Sequence, residues 1–299
     1  MKNLKFKIFV FSILIFGFLF LPNLSDAAIL YLNPASGEYR LGDTLIAEIK
    51  IDTQGEYINT IEANLNFSSD VLEIQDLSEG NSILTLWVKD PEFKNNSISF
   101  IGGVPGGYNG PDGLIGKIIF KVKPAETNNA QIVFENTSRA LINDGKGTKA
   151  NLTTKGVVLN ILSENSENPQ NEWQENLAED NISPQPFKVE ISQNPLIFDG
   201  KYFIAFSTSD KQTGIDYYEV KEGNGEWEKT SSPYILKNQN LMGTIFVRAV
   251  DKAGNYWMEK IQLGSNKTRS LLVYFGFIVL ALFLILIILK SKKRSVKNS

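Results

Sequence analysis

The 299-residue chain contains no cysteine and no histidine. The first absence excludes a disulfide framework, a thiolate nucleophile, an iron–sulfur cluster and a lipid-anchoring cysteine. The second removes the usual general base and the commonest zinc or copper ligand. Charge of one sign is missing as well: 30 Lys and Arg against 33 Asp and Glu leave a net charge of −3, which gives no electrostatic footprint for nucleic acid. No G-x-S-x-G or S-x-x-K motif supplies an activated serine. Any chemistry is left to carboxylates, lysine, hydroxyls and tyrosine. An exported protein without disulfides must also hold itself together by core size alone.

Two long apolar runs stand at the ends. Lys2, Lys5 and Lys7 precede an apolar run over 8–21, which Pro22 breaks, and Ser25-Asp26-Ala27 follows. This order predicts a secretory signal peptide over 1–27, cut after Ala27, with an uncleaved anchor helix as the alternative. Residues 271–289 carry no charge. At ~1.5 Å per residue such a helix crosses a hydrocarbon core of roughly 30 Å. Lys290, Lys292, Lys293, Arg294 and Lys297 follow at once, which places a short tail, 290–299, in the cytoplasm. Lys267 and Arg269 on the outer flank weaken that asymmetry without reversing it, and no LPxTG precedes the helix. The expectation is a single-pass plasma-membrane protein, retained by its helix, with 28–263 outside.

Between the ends the chain reads as short alternating runs set apart by turn residues, the pattern of an all-β protein. The first such region, 28–162, offers candidate strands at 29–33, 44–52, 58–66, 71–77, 83–89, 97–101, 113–123, 131–136, 140–142 and 156–161. In the stretch 58–66, Ile61, Ala63 and Leu65 fall on one side and Thr60, Glu62, Asn64 and Asn66 on the other. That is a half-buried strand with a dry face toward a core and a wet polar face. The wet face is either a solvated sheet surface or a protein-docking strip, in which polar contacts set register and a larger anchor supplies most of the energy. Tyr108, in the glycine-rich run GGVPGGYNGPDG (102–113), is the candidate anchor. That run lacks the phosphate-loop pattern and reads as a long connection or a bulged strand. Asn143 to Gly147 (NDGKG) lacks alternating oxygen ligands and a terminal glutamate and reads as a turn.

The ordered set Leu41-Gly42-Asp43-Thr44, the strand 58–67, Asp70-Val71-Leu72-Glu73-Ile74, GLIGKIIFKV at 113–122, the stretch 130–134 and the late Gly145–Gly147 loop resembles a cohesin domain. The resemblance implies a jelly-roll sandwich over 28–162 and a dockerin-type partner, held by the outward face of the strand at 58–66. Two polar contact positions of that face, commonly an Asn and an Asp, match Thr60 and Glu62 here, and both are departures. Beyond Phe100, where an acidic residue is frequent in the family, this chain reads GGVPGGY. A dockerin would bring its own calcium; no cofactor or metal site is expected of this chain.

Residues 163–185 hold six acidic residues and no basic one and are expected to act as an extended acidic linker. Trp173 and Leu177, four apart, could instead form one face of a short helical turn. From 186 to 263 a second set of strands is expected at 187–191, 201–208, 215–221, 234–236, 243–249 and 256–261. The segments DKQTGIDY (210–217), Trp227 after Gly-Asn-Gly, and GTIFVRAVDKAGN (243–255) resemble bacterial Ig-like repeats. Such repeats act as stalks, and Trp227 is expected in the core. Glu222, Glu226 and Glu228 lie in a charged hairpin and Glu62 on an open face, so neither offers the cleft a carboxylate pair needs for glycoside hydrolysis. The expected function is therefore non-enzymatic capture of a partner at the cell surface, serving attachment of polysaccharide-degrading or surface proteins. The alternatives are direct carbohydrate binding, for which Trp87, Tyr108 and Trp173 are the candidate aromatics, and a structural envelope protein without a ligand.

Overall fold

The computed structural model describes residues 27–34, 36–125, 127–165 and 168–264. The expected signal peptide (all but Ala27), the apolar run 271–289 and the basic tail lie outside the described residues. Among those described, no helix is long and apolar enough to cross a membrane. The chain divides into two units. One runs to Pro184 and includes Ser209–Ile215 and Asp251–Asn255; the other is built from Gln185–Thr208, Asp216–Val250 and the chain from Tyr256.

The first unit is a β-sandwich, as the sequence led us to expect. Its strands are β1 (Ala28–Asn33), β2 (Ser36–Leu41), β3 (Thr44–Asp52), β4 (Ile58–Phe67), β5 (Leu72–Ser78), β6 (Leu86–Lys94), β7 (Ser97–Tyr108), β8 (Gly113–Val122), β9 (Asn129–Phe134), β10 (Arg139–Ile142), β11 (Leu152–Lys155) and β12 (Val157–Asn165). A five-stranded sheet has the order β11-β1-β3-β8-β5; a seven-stranded sheet has the order β2-β12-β9-β4-β7-β6, with β10 also paired to β4. Neighbouring strands β1 and β2 enter different sheets, as do β11 and β12, and each C-terminal strand pairs parallel to its N-terminal counterpart. The edge strands β11 and β2 are thereby each held by a parallel partner from the other end of the sandwich.

Alternation places the core between the sheets. Leu30, Ile49 and Ile51 face Ile61, Ala63, Leu65, Ile98 and Phe100, all fully buried. The rings of Phe67 on β4 and Phe120 on β8 meet at 5.2 Å across the gap. Strand β8 reads as a nearly continuous apolar run because it is covered on both sides: Ile118 and Ile119, neighbours in sequence that point opposite ways, are both buried.

The acidic segment is not an extended spacer throughout. Residues Glu172–Glu179 form helix α1, with Asn171 as N-cap accepting from the Gln174 amide at 2.9 Å and Glu172 and Glu175 in the first turn. Both features stabilise a helix start. The stretch before it fills the part of the β3 edge that β1 leaves open. The Thr44 amide donates to Gln170 O (2.8 Å) and the Ile46 amide to a Glu172 carboxylate oxygen (2.8 Å). Buried Asp43 accepts from the Gln170 amide at 2.9 Å. Polar groups orphaned at a strand edge order this segment, which composition alone does not reveal.

The second unit is also all β. Strands β13 (Val189–Gln193), β14 (Tyr202–Phe206) and β17 (Tyr234–Ile235) form one sheet; β16 (Glu228–Thr230), β15 (Ile215–Glu222), β18 (Gly243–Asp251) and β19 (Tyr256–Leu263) form another. Phe203, Phe206, Val220, Ile245 and Val247 are buried. Trp227 is half-buried and stacks outside that set: Phe246 lies 6.5 Å away and the Arg248 guanidinium 4.5 Å over its ring. Arg248 in turn holds the Glu219 carboxylate, its Nε at 2.7 Å. Trp227 therefore packs on an outer sheet face and not in the core where the sequence reading put it.

Candidate partner-binding face

Strand β4 lies inside the seven-stranded sheet, so its outward residues are flanked on both sides. Register partners share a face. Thr60 stands beside Gly103, Glu62 beside Ile101, Asn64 beside Ser99 and Asn66 beside Ser97 of β7. Beyond them on β6 lie Leu86, Lys89, Glu92 and Lys94. On the other flank Arg139 of β10 is opposite Glu62. All four predicted strip residues thus share one outward row, each half-buried by its lateral neighbours.

The row is internally wired. Arg139 Nε donates to Glu62 Oε2 at 2.5 Å, with side-chain exposures of 49% and 21%. The Ser138 hydroxyl accepts from the Asn64 amide (3.1 Å) and donates to the Asn64 carbonyl (2.9 Å). Thr60 Oγ1 donates to Asn59 Oδ1 at 3.0 Å. Lys89 Nζ donates to Ser99 Oγ at 2.8 Å and pairs with Glu92 at 2.9 Å. Next to Glu62 an open depression of about 510 Å³ is lined by Thr137, Ser138, Arg139 and Lys149 among others. The face thus presents an acidic group held by one arginine, beside hydroxyls, amides and a second cation. Such a surface can set the register of a partner's polar groups.

Tyr108 does not belong to the row. It ends β7 opposite buried Ile58, so its ring turns inward, packs on the core and closes over Gly110 and Gly113. Gly106 and Gly107, at φ +87° and +79°, let β7 bulge there and continue as a strand. The glycine-rich run is therefore the bulged-strand alternative and not a flexible loop presenting an anchor. Trp87 is likewise partly buried, with its ring 5.5 Å from that of Phe100. Trp173 is half-buried on α1. The three candidate sugar-stacking aromatics do not make a row. Val88 and Phe93 of β6 are exposed, and exposed Leu86, Val133 and Val158 lie on the row's own face of the sheet. The sequence reading missed them because each sits in an alternating run whose inward face was taken as the apolar one.

Two of the hairpin carboxylates weighed for catalysis, Glu222 and Glu228, hold structure. Glu222 accepts from the Tyr234 hydroxyl (3.1 Å) and the amides of Lys237 (2.7 Å) and Asn238 (2.9 Å). Burial, then the Glu222 charge, holds the Tyr234 phenol well above its ordinary range. Glu228 pairs with Lys237.

A second cluster lies in the first unit. Asp180 follows α1, Asp210 opens the Ser209–Ile215 segment and Asp251 opens the Asp251–Asn255 turn; one carboxylate oxygen from each lies within 4.8 Å of the others. Their exposures are 7%, 2% and 1%. Asp210 Oδ2 accepts the amides of Gln212 (2.8 Å), Thr213 (2.9 Å) and Gly214 (3.0 Å), whereas its Oδ1 is buried without a hydrogen-bond partner. Asp180 Oδ2 takes the Thr213 hydroxyl (2.5 Å), and Asp251 takes the Asn255 amide (2.8 Å) and its side-chain nitrogen (3.0 Å). Burial raises the Asp251 carboxyl; hydrogen bonds from Asn255 oppose that, and the neighbouring Asp180 and Asp210 charges add to it. The expected turn at Asp251–Asn255 is present, closed by the Gly254 amide on Asp251 O at 3.1 Å. What the sequence reading missed is that this turn, the DKQTGIDY segment and the acidic stretch converge.

No family model and no curated protein matches the chain. Among solved structures it is similar to a non-cellulosomal cohesin from the hyperthermophilic archaeon Archaeoglobus fulgidus, with 20% identity, 46% of this chain and 92% of that one covered, and a TM-score of 0.39. It is also similar to the sixth cohesin of scaffoldin B from Acetivibrio cellulolyticus, solved with a dockerin, at 15% identity, 46% and 99% coverage and a TM-score of 0.39. A cohesin module from a Clostridium perfringens family 33 glycoside hydrolase gives 12% identity, 46% and 97% coverage and a TM-score of 0.35.

Proposed function

We propose that this protein is a non-enzymatic surface receptor or scaffold whose first unit captures a dockerin-type protein module through the outward face of β4 and its neighbours. The observation that carries the reading is the Thr60–Glu62–Asn64–Asn66 row. It is polar, lies on an open sheet face, and is centred on a Glu62–Arg139 pair beside a depression. The sequence resemblance to cohesins implies partner binding by this same face. Exposed Leu86, Val133 and Val158 on the same sheet would supply apolar contact around the polar row. The Ig-like second unit is proposed as a stalk, and 271–289 as the retained membrane anchor that keeps both units outside the cell.

Direct carbohydrate binding is less well supported, because Trp87 and Tyr108 pack on the core. Titrating the purified full chain against recombinant dockerin modules encoded near its own gene tests the reading. Saturable 1:1 binding that Glu62→Lys abolishes supports it. Absence of binding to every dockerin, with retention on insoluble polysaccharide, would replace it with the carbohydrate reading.

A further inference from the structure

We propose that Asp180, Asp210 and Asp251 hold a single calcium ion. This goes beyond partner capture and does not depend on it.

Three carboxylates, each more than nine-tenths buried, converge in the first unit. Among the described residues none of them forms an ion pair with Lys or Arg; nearby Lys252 is instead committed to Asp76 at 2.7 Å. A buried charge without a counter-charge is strongly unfavourable, and three together repel. Hydrogen bonds offset part of this, but they are unevenly spread. Asp210 spends one oxygen on three amides and leaves the other with no partner. A buried acceptor without a donor needs an explanation, and a cation supplies one.

Geometry and donor chemistry select the ion. Oxygens all within 4.8 Å of one another can touch one ion at the 2.3–2.6 Å typical of calcium. The donors are hard carboxylates, and a chain with no His or Cys offers a softer metal neither imidazole nor thiolate. Calcium accepts irregular oxygen cages with mixed carboxylate modes, whereas magnesium demands a near-ideal octahedron. The carboxylates come from three separate segments held by their own turns, so the cage is irregular. The scaffold around Asp210 is also built for close approach. A Cβ on Gly80 would lie 2.1 Å from the Gln212 carbonyl oxygen, and the Asn81 amide donates to Asp210 O at 2.9 Å.

The test uses the full chain alone, stripped with EDTA and dialysed. Calorimetric titration with CaCl2 is expected to give one ion per chain with Kd below ~1 mM, the range of extracellular calcium modules. The melting temperature should rise by ~3 °C or more near tenfold Kd. The variant Asp210→Asn can keep its carbonyl on the three amides while putting an NH2 where the unpartnered oxygen stands. It should therefore fold, melt higher than the unaltered chain in EDTA, and lose the calcium shift with at least tenfold weaker binding. An unaltered chain that gives no heat and melts at the same temperature in EDTA and CaCl2 overturns the proposal, whatever the variant does. So does an Asp210→Asn chain that keeps the full calcium shift. Equal affinity for MgCl2 overturns calcium as the ion.

Discussion

Glu62 separates binding from folding more cleanly than any other residue of the strip. Changing Glu62→Gln keeps the shape and removes the charge that Arg139 Nε contacts at 2.5 Å. Arg139 is about half exposed and Glu62 about one-fifth, so this is a surface ion pair. Such pairs contribute roughly 0.2–1 kcal/mol to stability. For a unit of this size that loss shifts the melting temperature by about 1–4 °C at most. In a docked complex the same carboxylate would be desolvated against a partner donor. Truncating such a group costs about 2–5 kcal/mol, or about thirtyfold and more in Kd. The expected result is a near-unchanged melting curve with a thirtyfold or larger loss of dockerin affinity, read by interferometry and differential scanning calorimetry on the same full-length preparations. Glu62→Arg, which sets two like charges side by side, should lose at least as much binding. A fall of more than ~6 °C in melting temperature with affinity intact would show the row to be structural, and the reasoning would fail.

Three further outcomes follow from the geometry. Phe100, 1% exposed between the sheets, should cost about 3–5 kcal/mol when changed to Ala, measured by urea unfolding. Arg248→Met should destabilise the second unit by ~3 kcal/mol, because it strands the buried Glu219 carboxylate; a change under ~1 kcal/mol would contradict the packing described. The Tyr39 phenol is pushed up to about 12 by burial and by the Glu172 carboxylate. A raised folded-state value means that the proton is held more tightly when folded. The stability it contributes is complete below pH 10 and is lost as the pH climbs toward 12. Tyr39→Phe should flatten that part of the stability–pH curve, and an unchanged slope would contradict the assignment.

Much of the sandwich was legible because burial on one face leaves a period of two. β3, β4 and β8 carry that period or, where both faces are covered, an unbroken apolar run, and they sit close to where the pattern put them. The edge strands were not legible. β11 (LTTK) buries no side chain and β2 (SGEYRL) buries only Tyr39, so neither leaves a periodic trace, although each completes a sheet. Helix α1 was legible only as the Trp173–Leu177 spacing, since strand-edge hydrogen bonds order it. The strip residues share a face as the alternation requires. Tyr108 was misplaced because its glycine neighbours signal a loop, while the β7 bulge turns its ring onto the core. The three aspartates were invisible as a set: each has a local reason to exist as a cap or turn residue, and only the fold brings them together.

The most direct measurement is photo-crosslinking from the sheet face itself. A photoreactive side chain placed at position 64 of the full chain, in the middle of the polar row, should form a covalent adduct with a captured dockerin module under illumination. The same side chain at position 121, exposed on β8 of the other sheet, should not. Adducts formed from position 121 and absent from position 64 would contradict the account.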